Sequence, residues 1–174
     1  AHHYRYTPEM STFIVETVPE VWERAGFAGM DDERTRAYCE AAFAETLQGA
    51  KLVSNRSIWR RFPQIGNDNW WLQDGDRHAV LIGDALRTAH FSIGSGTRLA
   101  LEDAIALVRA LREAGGDLSA GLAAFEAARR PVVDKLVGAA LSSARWYEDF
   151  DRHMALAPWD FAYSYIRRAG RVSD

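Results

Sequence analysis

The chain has 174 residues, 48% hydrophobic and 26% charged, and carries a formal charge of −3. That length suits one domain or two incomplete lobes and can bury a sizeable core. The charge gives no electrostatic basis for nucleic acid or an anionic membrane as a general partner, although Arg60–Arg61, Arg129–Arg130 and Arg167–Arg168 are local pairs suited to anionic ligands.

The single cysteine, Cys39, excludes an internal disulfide framework and fits a reducing compartment. In a helical setting it reads as a buried, inert thiol rather than a nucleophile. No apolar run approaches the ~18 residues needed to span a bilayer, and no signal peptide is visible, so a soluble cytoplasmic protein is expected. The chain opens on Ala1 and is strand-like from His2, which leads us to expect native sequence ahead of it.

His2–Tyr6 and Thr12–Thr17 alternate with the two-residue period of a strand, and Thr7-Pro8-Glu9-Met10 between them suits a hairpin turn. Pro19 opens a short helix, Glu20–Ala25, that Gly26 ends. Asp31-Asp32-Glu33 sets acidic residues at the start of the next helix, about 31–47, where they suit its dipole. Alternation returns at Ser57–Phe62, closed by Pro63, and Trp70–Leu72 forms a further short strand. His78–Ile82 reads as a strand buried on both faces.

After Gly94-Ser95-Gly96, the apolar residues Leu99, Ala100, Ala104, Leu107, Val108 and Leu111 recur at helical spacing, predicting a helix over about 96–113 that Gly115-Gly116 ends. A second helix, about 118–148, turns Leu122, Phe125, Val132, Leu136, Ala139 and Ala140 inward, and Pro131 is expected to kink it. A last helix covers about 159–169.

The chemistry concentrates in Ala79–Arg98. Read from the residues alone, a buried strand ends at Gly83-Asp84, a long loop follows, and glycines open a helix. Strand ends of open α/β sheets are where ligands bind. Helix N-termini favour an anionic or electron-rich atom. Gly94 and Gly96 admit a ligand close to the backbone, and Asp84 accepts hydrogen bonds from hydroxyls. The same pattern also suits a plain turn with packing glycines. His2, His3, His78 and His153 lack metal-ligand spacing, and no metal is expected. Trp59, Trp70 and Trp71 suit packing more than substrate contact; Arg60 and Arg61 read as surface charges, and Arg129–Arg130 as braces for their helix.

The stretch Gly83-Asp84-Ala85-Leu86, Thr88–Thr97 and Leu101-Glu102-Asp103-Ala104 resembles the second flavin-binding motif of single-component FAD-dependent aromatic monooxygenases, the para-hydroxybenzoate hydroxylase-like group. Within it, the chain is most similar to hydroxylases of aryl-coenzyme A thioesters, of the salicylyl-CoA 5-hydroxylase and 2-aminobenzoyl-CoA monooxygenase type. The likeness extends to Ser11–Glu16, Trp59 through Trp70, Phe125-Glu126, Arg129-Arg130-Pro131 and Trp146-Tyr147-Glu148. Relatives often have Pro where His90 or Phe91 stands, and often His where Arg87 stands.

The resemblance implies an α/β fold, α+β over this segment. Residues 1–76 would be the end of a substrate-binding domain. Residues 77–174 would supply the last strand and C-terminal helices of a Rossmann-like FAD-binding domain. It implies FAD contacts from Gly83, Asp84, Gly94, Ser95, Gly96, Thr97 and Arg98, with Asp84 on the ribityl chain and the Thr97 and Arg98 N–H groups on the pyrimidine edge. His90, Phe91 and Ser92 would line the substrate side, with His90 orienting or deprotonating a phenol or aniline.

The implied reaction is hydroxylation of an aromatic acid or its CoA thioester, with NADH or NADPH and dioxygen, through a C4a-hydroperoxide of the flavin. A reductase or halogenase of the same fold, and an inert folding or interaction module, are the competing readings. The Gly-x-Gly-x-x-Gly turn that holds the FAD pyrophosphate is absent from these residues, so this segment alone is expected to bind FAD poorly and to be inactive. Self-association and a reductase domain fused beyond Asp174 are both compatible with the resemblance.

Overall fold

The computed structural model describes residues 1–170. The chain divides into two compact units, Ala1–Arg61 and Phe62–Asp174.

In the first unit, β1 (His2–Arg5) and β2 (Ser11–Ile14) form an antiparallel hairpin in which His2 faces Ile14. The N–H groups of Tyr6 and Thr7 both donate to the Met10 carbonyl, closing the expected turn. β2 ends at Ile14, short of the predicted Thr17, where its pairing with His2 ends. Helix α1 (Pro19–Ala25) starts on Pro19 and ends at Gly26. Helix α2 (Asp32–Ala42) is capped by the Asp31 carboxylate, which accepts the Arg34 N–H at 2.8 Å. The helix predicted to continue to residue 47 breaks at Phe43, whose ring packs edge-on against Phe13 at 5.2 Å, and α3 (Ala44–Leu47) is a separate turn. Phe27, 6% exposed, lies between the rings of Tyr38 and Trp59. The predicted strand at Ser57–Phe62 is not formed: alternation favours extended backbone, but among the described residues no strand completes a ladder there.

The second unit opens with β3 (Trp71–Asp74) and β4 (Arg77–Val80), an antiparallel ribbon pairing Trp71 with Val80. This corrects the doubly buried strand expected at 78–82. β3 turns straight back into β4 through Gly75, giving a two-stranded ribbon on which Arg77 and Ala79 are exposed. A single turn, α4 (Gly83–Leu86), follows. After a 3-10 turn at Phe91–Ile93 come α5 (Gly96–Glu113) and α6 (Leu118–Glu148), close to their predicted bounds, then α7 (Phe150–Met154) and α8 (Pro158–Arg167).

Asp117 caps α6 by accepting the Ala120 N–H at 2.9 Å, and the helix runs through Pro131 without interruption. Its inward phase is Leu122, Phe125, Arg129, Val133 and Ala140, so Val133 is 1% exposed and Val132, predicted inside, is 43% exposed. Val108 on α5 likewise faces outward. The core joins Trp70, Leu86, Leu99, Ala110, Phe125 and Val133. Helices α5 and α6 approach most closely at Gly121, where an added Cβ would lie 2.9 Å from Leu111 Cδ2 and 3.1 Å from Leu111 Cα. A side chain there would push the pair apart.

Candidate functional site

The site begins at Gly83. Its φ of +59° favours glycine, and a Cβ there would stand 3.1 Å from Ala100 Cβ on α5. The chain can therefore turn sharply out of the ribbon while lying against α5, and that turn sets Asp84 at the surface. The Asp84 carboxylate is exposed and has no hydrogen-bond or ion-pair partner among the described residues.

The turn is held from two sides. From the preceding segment, Asn67 Nδ2 donates to the carbonyls of Ala85 (3.1 Å) and Leu86 (2.8 Å). Thr88 Oγ1 accepts the Ile65 N–H and donates to the Pro63 carbonyl, while the Thr88 N–H donates to the Ile65 carbonyl. From the helices, Asp103 Oδ2 accepts the Gly83 N–H at 3.4 Å, and Asp103 Oδ1 accepts from Arg129 Nε at 2.9 Å. Arg129 also pairs with Glu102 at 3.1 Å. Asp103 is 2% exposed, and that guanidinium is its buried ion-pair partner.

Arg87 closes the turn, its backbone N–H bonded to the Gly83 carbonyl at 3.0 Å. Its side chain is 9% exposed, with the guanidinium 4.0 Å above the Trp70 ring. Arg130 lies 5.0 Å from the same ring and pairs with Glu126. Burial pushes the Arg87 pKa below its ordinary value, opposed by the charges of Asp103 and Asp134.

Facing this turn is the start of α5. Its first helical bond runs from the Leu99 N–H to the Ser95 carbonyl, and no side chain caps it. The N–H groups of Gly96, Thr97 and Arg98 thus project beyond the helix end with its partial positive charge. Apart from adjoining residues and the helix's own backbone, no heavy atom lies within 4 Å of where a Cβ would stand on Gly94 or Gly96, so this side is open. Ser95 is buried, its hydroxyl donating to the Ile93 carbonyl, and the Arg98 side chain pairs with Glu102 at 2.9 Å.

The linking loop is ordered by its own contacts. His90 Nδ1 accepts the Ser92 N–H at 3.2 Å, and its ring stacks on Phe91, which packs against Phe62. Ser92 is buried, and its hydroxyl donates to the Ala140 carbonyl of α6.

Gly83, Asp84 and Gly96 line one small void, together with Arg87, Leu99 and Asp103. A larger hollow, ≈570 Å³, runs along the outer face of α5 past Ile105, Val108 and Arg109. It is an open groove away from the turn, and none of the residues expected to contact cofactor or substrate lines it. Asp103, Asn67 and Thr88 carried no site assignment from sequence, yet they hold the turn. Asp103 had one signal: it stands four residues after Leu99, an acid inside the apolar stripe of α5. Among the described residues, no group of three or more His, Cys, Asp or Glu side chains is placed to hold a metal ion, and no helix is long and apolar enough to cross a membrane.

The arrangement offers a free carboxylate for hydroxyl donors, beside backbone donors at a positive helix end, with glycines leaving room between. That chemistry suits a polyhydroxylated ligand with an electron-rich head.

No family model matches the chain. It is 40% identical over 97% of its length to salicyloyl-CoA 5-hydroxylase of a Streptomyces species, covering 34% of that protein. It is 44% identical over 84% of its length to 3-hydroxy-4-methyl-anthranilyl-[aryl-carrier protein] 5-monooxygenase of Streptosporangium sibiricum, covering 37% of it. To protodeoxyviolaceinate monooxygenase of Chromobacterium violaceum it is 38% identical over 97% of its length, covering 44%. The chain therefore spans between a third and a half of the length of these relatives. Over the segment it spans, the chain is homologous to salicyloyl-CoA 5-hydroxylase and related aromatic monooxygenases.

Proposed function

We propose that this chain is part of an FAD-dependent monooxygenase that hydroxylates an aromatic acid carried as a thioester, with NADH or NADPH as reductant. The observation that carries this reading is the exposed, unpartnered Asp84 carboxylate beside the uncapped N-terminus of α5. Those residues fit FAD: a carboxylate for ribityl hydroxyls, helix-end N–H groups for the pyrimidine edge, and open space beside Gly94 and Gly96 for a flat ring. When bound, FAD supplies hydride acceptance from the nicotinamide and activation of dioxygen.

The chain's own residues bind and orient. Asp84 holds the ribityl chain, and the Thr97 and Arg98 N–H groups stabilise negative charge on the ring edge. His90, Phe91 and Ser92 form the loop on the substrate side, with the His90 ring set by the Ser92 N–H. In this reading residues 77–174 end a Rossmann-like FAD-binding domain, and residues 1–76 end the substrate-binding domain. Support for a thioester substrate comes from two relatives whose names specify one, an aryl-CoA and an aryl-carrier protein.

The test is turnover by the full-length protein with aryl-CoA and free-acid substrates. Substrate-stimulated NAD(P)H oxidation yielding a ring-hydroxylated thioester is the expected result. Oxidation without oxygen insertion would favour a reductase of the same fold, and no oxidation at all would contradict an enzyme.

A further inference from the structure

Arg87 is the least explained buried group in the second unit. Its side chain is more than nine-tenths buried, and both terminal guanidinium nitrogens lack a protein acceptor. A desolvated guanidinium without acceptors is strongly unfavourable, so an acceptor is required where those nitrogens point. Stacking on Trp70 satisfies the face of the group but none of its N–H donors.

Arg87 lines a void of ≈10 Å³ with Gly83, Asp84, Gly96, Leu99 and Asp103. About 10–15 Å³ of such space holds one water, provided that two to four polar groups surround it. Polar residues are present: Arg87, Asp103 and the exposed Asp84 all line the void. Asp103 Oδ2 keeps acceptor capacity, because a carboxylate oxygen has two lone pairs and the Gly83 N–H at 3.4 Å occupies one. Asp84 has no side-chain partner to fix its rotamer, although it is three residues from an arginine tied to the same turn.

We propose that Arg87 is a positioning residue for Asp84: it anchors one buried water in the void beneath the Gly83–Asp84 turn, and through it orients the Asp84 carboxylate toward the cofactor. Arg87 itself stays buried and does not reach the ligand. The inference rests on the FAD reading of Asp84 given above.

The test is a double-mutant cycle on FAD affinity in the full-length protein, using Arg87→Met, Asp84→Ala and the pair. Methionine keeps the bulk and the packing on Trp70 while removing the donors. With Asp84 present, Arg87→Met is expected to raise the FAD Kd about tenfold, equivalent to about 1.4 kcal/mol of coupling. In the Asp84→Ala background the same change is expected to have almost no effect. Equal weakening in both backgrounds, or none in either, would overturn the proposal, because packing alone does not distinguish them. If Asp84→Ala leaves FAD affinity intact, the cofactor reading falls and this inference with it. Should Arg87→Met not fold, Arg87→Lys runs the same cycle, with a smaller loss that again disappears without Asp84. A high-resolution structure of the full-length protein is expected to show the water bridging Arg87 and Asp84, and a dry void there would also overturn it.

Discussion

Asp103 on α5 and Arg129 on α6 form a buried ion pair at 2.9 Å, and the other oxygen of Asp103 holds the Gly83 N–H. One carboxylate therefore locks two helices and the turn that presents Asp84. Removing one member of a buried pair leaves the other uncompensated, at a cost of about 3–5 kcal/mol. Asp103→Ala is expected to lower unfolding stability by that order in chemical denaturation. Replacing both residues by apolar ones should cost less than the sum of the single changes. An unchanged denaturation midpoint for Asp103→Ala would contradict the pair's role.

Gly121 tests the helix approach. In an exposed helix, Gly→Ala gains about 1 kcal/mol from backbone entropy. Here the new methyl meets Leu111 side chain and backbone at 2.9 and 3.1 Å, and overpacking costs about 1–3 kcal/mol. Because backbone as well as side chain must give way, Gly121→Ala should destabilise, read as a lower melting temperature. A gain in stability would show that α5 and α6 separate freely.

Glu40 gives the first unit a pH dependence. The Lys51 ammonium, 2.8 Å away, and the Leu52 N–H hold its carboxyl below the ordinary 4.5. A depressed folded-state pKa means that the unfolded chain binds the proton more tightly. The stabilisation is therefore full above 4.5 and lost as pH falls through the lower folded value. Glu40→Gln should flatten the loss of stability on acidification, with little change in its shape near neutrality. An identical acid limb in the variant would remove Glu40 from the cause.

Cys39 is 6% exposed, and burial pushes its thiol pKa up. Labelling by a thiol reagent at neutral pH should be slow in the folded protein and rapid after denaturation. Fast stoichiometric labelling of the folded chain would contradict this environment.

Local signals told most where local forces decide. Helices α5 and α6 were readable from apolar spacing, from glycines at 94, 96, 115 and 116, and from the Asp117 cap. Strand identity was not, because pairing depends on distant partners: residues 57–62 alternate without a ladder, and β4 pairs with β3 alone. Val132 and Val133 are both apolar, and only contact with α5 selects Val133. The motif pointed to Gly83, Asp84 and Gly94–Arg98. What holds them — Asn67, Arg87, Asp103 and Arg129 — is assembled by residues far apart in sequence, and apart from Asp103, an acid inside an apolar stripe, nothing in their own positions marks them.

The central claim is that Asp84 and the start of α5 form part of an FAD site. Flavin titration of the full-length protein, with and without Asp84→Ala, tests it most directly. The expected result is a yellow protein with bound FAD that loses most of it in the variant. A parent protein that purifies colourless and takes up no FAD, or a variant that binds FAD as tightly as the parent, would contradict it.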